Sequence, residues 1–147
     1  LALCEDNNGN IWAGTYSSGV YVLDGNTGRE LSHYSQEDRN SDFPGRFIFD
    51  IFKDSQGNIW IGGIQSSVIC YLAKENRFRF YPSQPVRSFT ELSKGKLLLS
   101  CSYGLILLDK ETGNEEILLD GYHIHGTLVI DDKIWALTSG VGLIQYD

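Results

Sequence analysis

Asp54-Ser55-Gln56-Gly57-Asn58-Ile59-Trp60-Ile61-Gly62-Gly63 repeats, nearly word for word, the earlier stretch Asp6-Asn7-Asn8-Gly9-Asn10-Ile11-Trp12-Ala13-Gly14-Thr15. Self-similarity of this kind marks a repeat architecture and takes precedence over any local reading. Weaker copies follow at Lys94–Ser100 and Asp132–Thr138, which makes Trp12, Trp60, Leu98 and Trp135 equivalent, at spacings of 48, 38 and 37 residues. A second phrase travels at a fixed offset: Gly19-Val20-Tyr21-Val22-Leu23-Asp24, Val68-Ile69-Cys70-Tyr71-Leu72, Gly104-Leu105-Ile106-Leu107-Leu108-Asp109 and Gly142-Leu143-Ile144-Gln145-Tyr146-Asp147. Turn residues and a third run follow the first three copies, and an apolar run such as Phe47–Phe52 precedes the first phrase, so each unit consists of four short runs.

These runs are rich in Ile, Val, Phe, Tyr and Trp and punctuated by Gly, Asn and Asp, which is the signature of strands and hairpins. Side chains alternate along a strand, so Ile59 and Ile61 face one way and Trp60 the other, and both faces are apolar. A sheet apolar on both sides must be covered on both sides, and with no helical pattern available the cover must be the next sheet. The expectation is an all-β propeller segment of about four four-stranded antiparallel blades, at residues 1–34, 47–81, 86–119 and 126–147. In the Asp-x-x-Gly-Asn turn the carboxylate of Asp6 or Asp54 accepts from backbone N–H groups two residues on. Gly9 and Gly57 supply the positive φ of the reversal. Gly14 and Gly62, inside strands, read as points of close approach.

The pattern resembles the two-component regulator propeller repeat, found in tandem in the periplasmic sensor region of bacterial hybrid two-component systems. Residues 6–34 and 54–81 match it closely. The other two units depart, with Leu98 in place of Trp and Asp131-Asp132-Lys133 in place of the turn. The resemblance implies a ligand-sensing domain outside the cytoplasm, on the periplasmic side of the inner membrane. Its full-length protein would add a membrane span and kinase, receiver and DNA-binding domains. The typical ligands are oligosaccharides released from polysaccharides, and the other partners are neighbouring propeller and signalling domains.

The net charge of −7 is spread through turns with no basic block, which argues against a phosphate-tracking nucleic-acid surface. No run of 18 apolar residues and no charged-then-apolar leader occurs in the sequence. The first run reads as the inner strand of one blade and the last as the third strand of another. The expectation is therefore a piece of a larger ring, or else two copies pairing their open ends. Cys4, Cys70 and Cys101 stand alone in apolar runs and read as small core residues.

Candidate chemistry is sparse. Tyr122-His123-Ile124-His125 places two imidazoles on one strand face, but a catalytic zinc takes three protein ligands, and the remaining histidine, His33, lies in another unit. The Asp6 and Asp54 turns lack the spacing of a calcium loop. The expectation is no metal, no cofactor and no catalysis, with a propeller lyase or other carbohydrate-active enzyme, or a plain interaction scaffold, as alternatives. The repeat is broken by the long connection 35–46, and loops on a rigid scaffold carry binding more often than strands do. Arg39 and Arg46 in it can bind a carboxylate or sulfate two-pronged. Together with Tyr122, His123 and His125 at another outer-to-inner connection, they form the expected ligand rim.

Overall fold

A computed structural model describes residues 2–38, 43–65 and 67–147. It contains fifteen strands and no helix among the described residues, and the strands form four antiparallel sheets. The chain divides into two compact units, 1–85 and 86–147.

In the first unit, β1 (Ala2–Glu5), β2 (Ile11–Gly14), β3 (Val20–Leu23) and β4 (Glu30–Tyr34) pair in sequence order. So do β5 (Ile48–Lys53), β6 (Ile59–Gly63), β7 (Ser67–Leu72) and β8 (Arg77–Pro82). All five residues of β6 are buried, as expected for a strand apolar on both faces. One face of the first sheet, carrying Trp12, Val20 and Val22, packs into a core with Ile48, Ile51, Ile59, Ile61 and Ile69 of the second. Both indoles are enclosed: Trp12 is 2% and Trp60 1% exposed. The sheets approach so closely at Gly14 that a Cβ there would stand 2.5 Å from Cγ2 of Ile48 and 3.2 Å from Cδ1 of Ile51.

The second unit contains β9 (Val86–Ser93), β10 (Lys96–Cys101), β11 (Gly104–Asp109) and β12 (Glu115–Asp120) in one sheet. Its other sheet has three strands: β13 (Ile124–Ile130), β14 (Lys133–Thr138) and β15 (Gly142–Tyr146). Leu98 and Leu105 share a core with Ile124, Ile134 and Ala136. Trp135 departs from the burial expected of its repeat position. It is half-buried, and with Leu128, Ile130, Leu137 and Leu143 it lines an open apolar face of the three-stranded sheet. Its register matches the other units, since Trp135 lies opposite Leu128 and Gln145 as Trp12 lies opposite Cys4 and Val22.

The repeated turn is tied together by its aspartate. Asp54 Oδ1 accepts from the backbone N–H groups of Gln56 (3.0 Å) and Asn58 (2.9 Å), while Oδ2 accepts the indole N–H of Trp60 at 2.8 Å. Asp6 does the same for Asn8, Asn10 and Trp12, at 2.8, 3.0 and 2.9 Å. Burial pushes the Asp6 carboxyl up, but the bonds from the Trp12 indole and from Asn10 and Asn8 outweigh it, and its pKa lies below the ordinary value. Gly57 turns at φ +83°, and a Cβ there would meet the amide of Asn7 at 2.2 Å.

Two outcomes follow for stability. Gly14→Ala should cost about 1–3 kcal/mol in urea unfolding, because the branched Ile48 cannot yield. Asp54→Ala should cost about 3 kcal/mol, since it strands an indole and two amide donors in a buried place, and Asp6→Ala, half-buried, should cost less. The Asp6 contribution is complete above the unfolded-chain value of about 3.9 and is lost as pH falls through the lower folded value. Asp6→Ala should therefore flatten the acid limb of the stability curve, measured by urea unfolding at a series of pH values.

Candidate functional site

Each sheet after the first begins with the same irregularity. Pairing between β5 and β6 steps from Ile48↔Gly63 to Asp50↔Gly62 and skips Phe49. Between β9 and β10 it steps from Val86↔Cys101 to Ser88↔Ser100 and skips Arg87. Between β13 and β14 it steps from Ile124↔Thr138 to Gly126↔Leu137 and skips His125. A bulge re-aims the side chain it carries and leaves it outside the ladder. In all three cases the preceding residue, Ile48, Val86 or Ile124, is buried and anchors the strand. The repeat therefore delivers one variable side chain per sheet, at the end where the outermost-to-innermost connections arrive.

In the second unit those side chains are Arg87 and His125, with His123 beside them. The imidazole rings of His123 and His125 lie 4.9 Å apart, tilted by 36°. His125 Nε2 and Ser139 Oγ are 2.6 Å apart, and the Ser139 backbone N–H donates to the His123 carbonyl at 3.0 Å, which fixes the 139–142 turn against the histidines. His123 Nε2 is enclosed and has no hydrogen-bond partner among the described residues. Burial first, then the charge of Arg87, then His125, hold the His123 pKa below the ordinary value. A group in this state favours an arriving anion, because the anion makes protonation of the ring less costly.

The remaining expected site residues are distributed differently. Tyr122 is half-buried and packs its ring against the Leu98 core, so it supports the connection more than it lines an open surface. Arg46, in the first unit, is exposed, with its guanidinium 5.3 Å from the centre of the Phe47 ring, and its carbonyl accepts from Gly19 N at 3.2 Å. Phe47 in turn meets the exposed Tyr16 edge-on at 5.1 Å. Arg39 lies outside the described residues. Arg46 and His123 thus each occupy an outermost-to-innermost connection at the corresponding end of their own sheets. Arg87 was not singled out from the sequence. Its signal is positional, since Val86-Arg87 aligns with Ile124-His125 once the innermost strands are superposed as repeats.

Among the described residues no group of three or more His, Cys, Asp or Glu converges as a metal site, and neither His123 nor His125 is hydrogen-bonded to a carboxylate. The Cys101 thiol, raised by burial and then by Glu115 to about 12, is chemically quiet.

The fold and turn chemistry define an all-β propeller segment. The profile of the family described as two component regulator propeller matches residues 1–17 and 42–65. The two matched stretches contain the aspartate–tryptophan turns. Among solved structures, the extracellular domain assigned to hybrid two component system BT3049 of B. thetaiotaomicron aligns with a TM-score of 0.80 at 20% identity, over 99% of this chain and 22% of that one. The corresponding domain of BT4673 aligns with a TM-score of 0.82 at 16% identity, over 99% of this chain and 20% of that one. The computationally designed Ika4 protein aligns at 0.73 and 14% identity, over 99% of this chain and 88% of that one. No curated protein matches the chain. The chain spans about a fifth of the length of the two bacterial domains. No helix among the described residues is long and apolar enough to cross a membrane.

NMR titration of the histidines should place His123 below the ordinary value of about 6.5. Arg87→Gln should bring it back toward that value. Protonating His123 opposes folding, so the His123 term is absent above the unfolded-chain pKa and costs stability as pH falls below it.

Proposed function

We propose that the chain is a ligand-sensing segment of a hybrid two-component sensor, exported to the periplasmic side of the inner membrane, and that its ligand is an oligosaccharide carrying anionic groups. The observation that supports this reading is the Arg87, His123 and His125 group at the head of the second unit, where His123 Nε2 is enclosed and unpaired. The family match and the extracellular relatives make a sensor the natural owner of such a site. In this reading the chain performs no catalysis itself. Binding changes signalling only by favouring one of two arrangements of the whole receptor, since a ligand shifts only an equilibrium whose states it binds unequally. Phosphorelay and control of polysaccharide use would belong to domains of the full receptor.

A carboxylate or sulfate at this position would accept from the guanidinium and from protonated His123, and the charge-assisted bonds would strengthen as pH falls from about 7 toward 5.5. Arg46, and Arg39 in the same connection, would give the first unit a basic edge of its own. The test is calorimetric titration with a sulfated and a uronic-acid tetrasaccharide. Arg87→Ala and His123→Ala should each weaken binding by about 1–3 kcal/mol, with melting temperature nearly unchanged. Binding indifferent to Arg87 and His123 while the fold survives would remove this group from the site.

A further inference from the structure

The three-stranded sheet has one accessible apolar face. Leu128, Ile130, Trp135, Leu137 and Leu143 stand side by side on it, with Leu128 and Leu143 each 59% exposed. Single apolar side chains are ordinary on a surface, but a contiguous group of large ones is the mark of an interface.

The repeat register states what such a face packs against. Trp135 lies opposite Leu128, and Leu137 opposite Leu143, as Trp12 lies opposite Cys4, and Gly14 opposite Val20. In the first unit the Trp12 face is covered by the next sheet, through Ile51, Ile59, Ile61 and Ile69 among others. These covering residues have counterparts in the first sheet, where Leu3, Ile11, Ala13 and Tyr21 hold the same register positions. Side chains alternate along a strand, so these four point away from Trp12 and its core. Leu3 is 75% exposed, and the other three are partly buried. The chain thus carries both halves of one kind of sheet-to-sheet contact, on two different sheets.

We propose that these two faces join two copies of this chain head to tail, the Trp135 face of one copy covering the Leu3 face of the other. Volumes compensate across the junction. Leu137 takes the place of Gly14, whose missing side chain admits Ile48 and Ile51, and Ala13 takes the place of Ile61. Charges match as well. In the first unit Lys53 of the covering sheet lies beside Cys4, and Glu5 holds the register position of Lys53 in the first sheet. On the open face Lys133, paired with Ile130, stands two residues before Trp135 as Asn10 stands before Trp12. Glu5 and Lys133 are both exposed, and the junction sets them at one rim. Because the two faces differ, the contact is heterologous and either closes as a ring of copies or runs on as a chain of them.

Sedimentation velocity on the full chain from ~1 to ~200 µM should show a mass of two or more chains that falls to one on dilution. Leu128→Glu and Leu3→Glu, both at exposed positions, should each raise the dissociation constant ~100-fold or more with circular dichroism unchanged, because either one buries a carboxylate in the apolar junction. Mixed together, the two variants should associate again, since each keeps the face that the other has lost. Lys133→Glu should weaken association about 3–10-fold, and adding Glu5→Lys should restore it, a readout that holds even where a glutamate at 128 or 3 unfolds its sheet. A single-chain mass at every concentration would overturn the proposal. So would association that survives Leu3→Glu but not Leu128→Glu, which is the signature of two Trp135 faces pairing back to back.

Discussion

The bond on which the first unit depends joins a turn carboxylate to a strand indole. Asp54 spends one oxygen on its own turn and the other on Trp60, six residues away, and Asp6 does the same for Trp12. A large aromatic ring can be buried between sheets only if its N–H finds an acceptor, and the aspartate supplies one at no extra cost because the turn already holds it in place. Turn, ring orientation and sheet spacing are thereby set together. The second unit lacks the clasp. It uses Leu98, which needs no acceptor, and Trp135, which is only half-covered. It gains order instead from side chains between β9 and β13, where Thr90 and Thr127 bond each other at 2.9 Å, and from the buried pair of Lys110 with Glu91 at 2.5 Å.

The sheet order, the strand register and the equivalence of the repeat positions were legible from the sequence, because period-2 patterning and recurring turns encode them directly. The turn role of Asp6 and Asp54 was legible too, since an aspartate two residues before a free amide is a local matter. Its second bond, to the indole, was not anticipated. It depends on how a strand folds back over its own turn, which spacing alone does not reveal. Burial of Trp135 was expected from equivalence and is incomplete, because a repeat position inherits its register from its own sheet but its cover from a neighbour.

The candidate site shows the same division. His123 and His125 could be placed together, being two residues apart on one strand, and their rings do meet. Arg87 could not, because it is 36 residues away from His123 in sequence and reaches it only through the stacking of two sheets in one unit. The bulges explain why these residues are available. Regular strand positions are committed to the ladder and to packing, so changing them costs core energy. A bulged residue lies outside the ladder, and Phe49, Arg87 and His125 occupy one structural place with three chemistries.

This freedom separates stability from recognition within the repeat. The aspartate turn and the buried strand centre set the sheets and tolerate little change, while the head of each innermost strand and the turns at the opposite end carry side chains that the fold does not require. The candidate site of the second unit lies in such positions. The basic group of the second unit is built on bulges, and the first unit has a cavity beside the turn amides and the clasped Trp12. In the cavity the two roles touch, because the ring that Asp6 locks for packing also steadies Tyr34 and Tyr71 beside the open space. Tyr34 and Tyr71 are thereby held against a ring that cannot turn, so the bond that spaces the sheets also orders the aromatic cluster beside it.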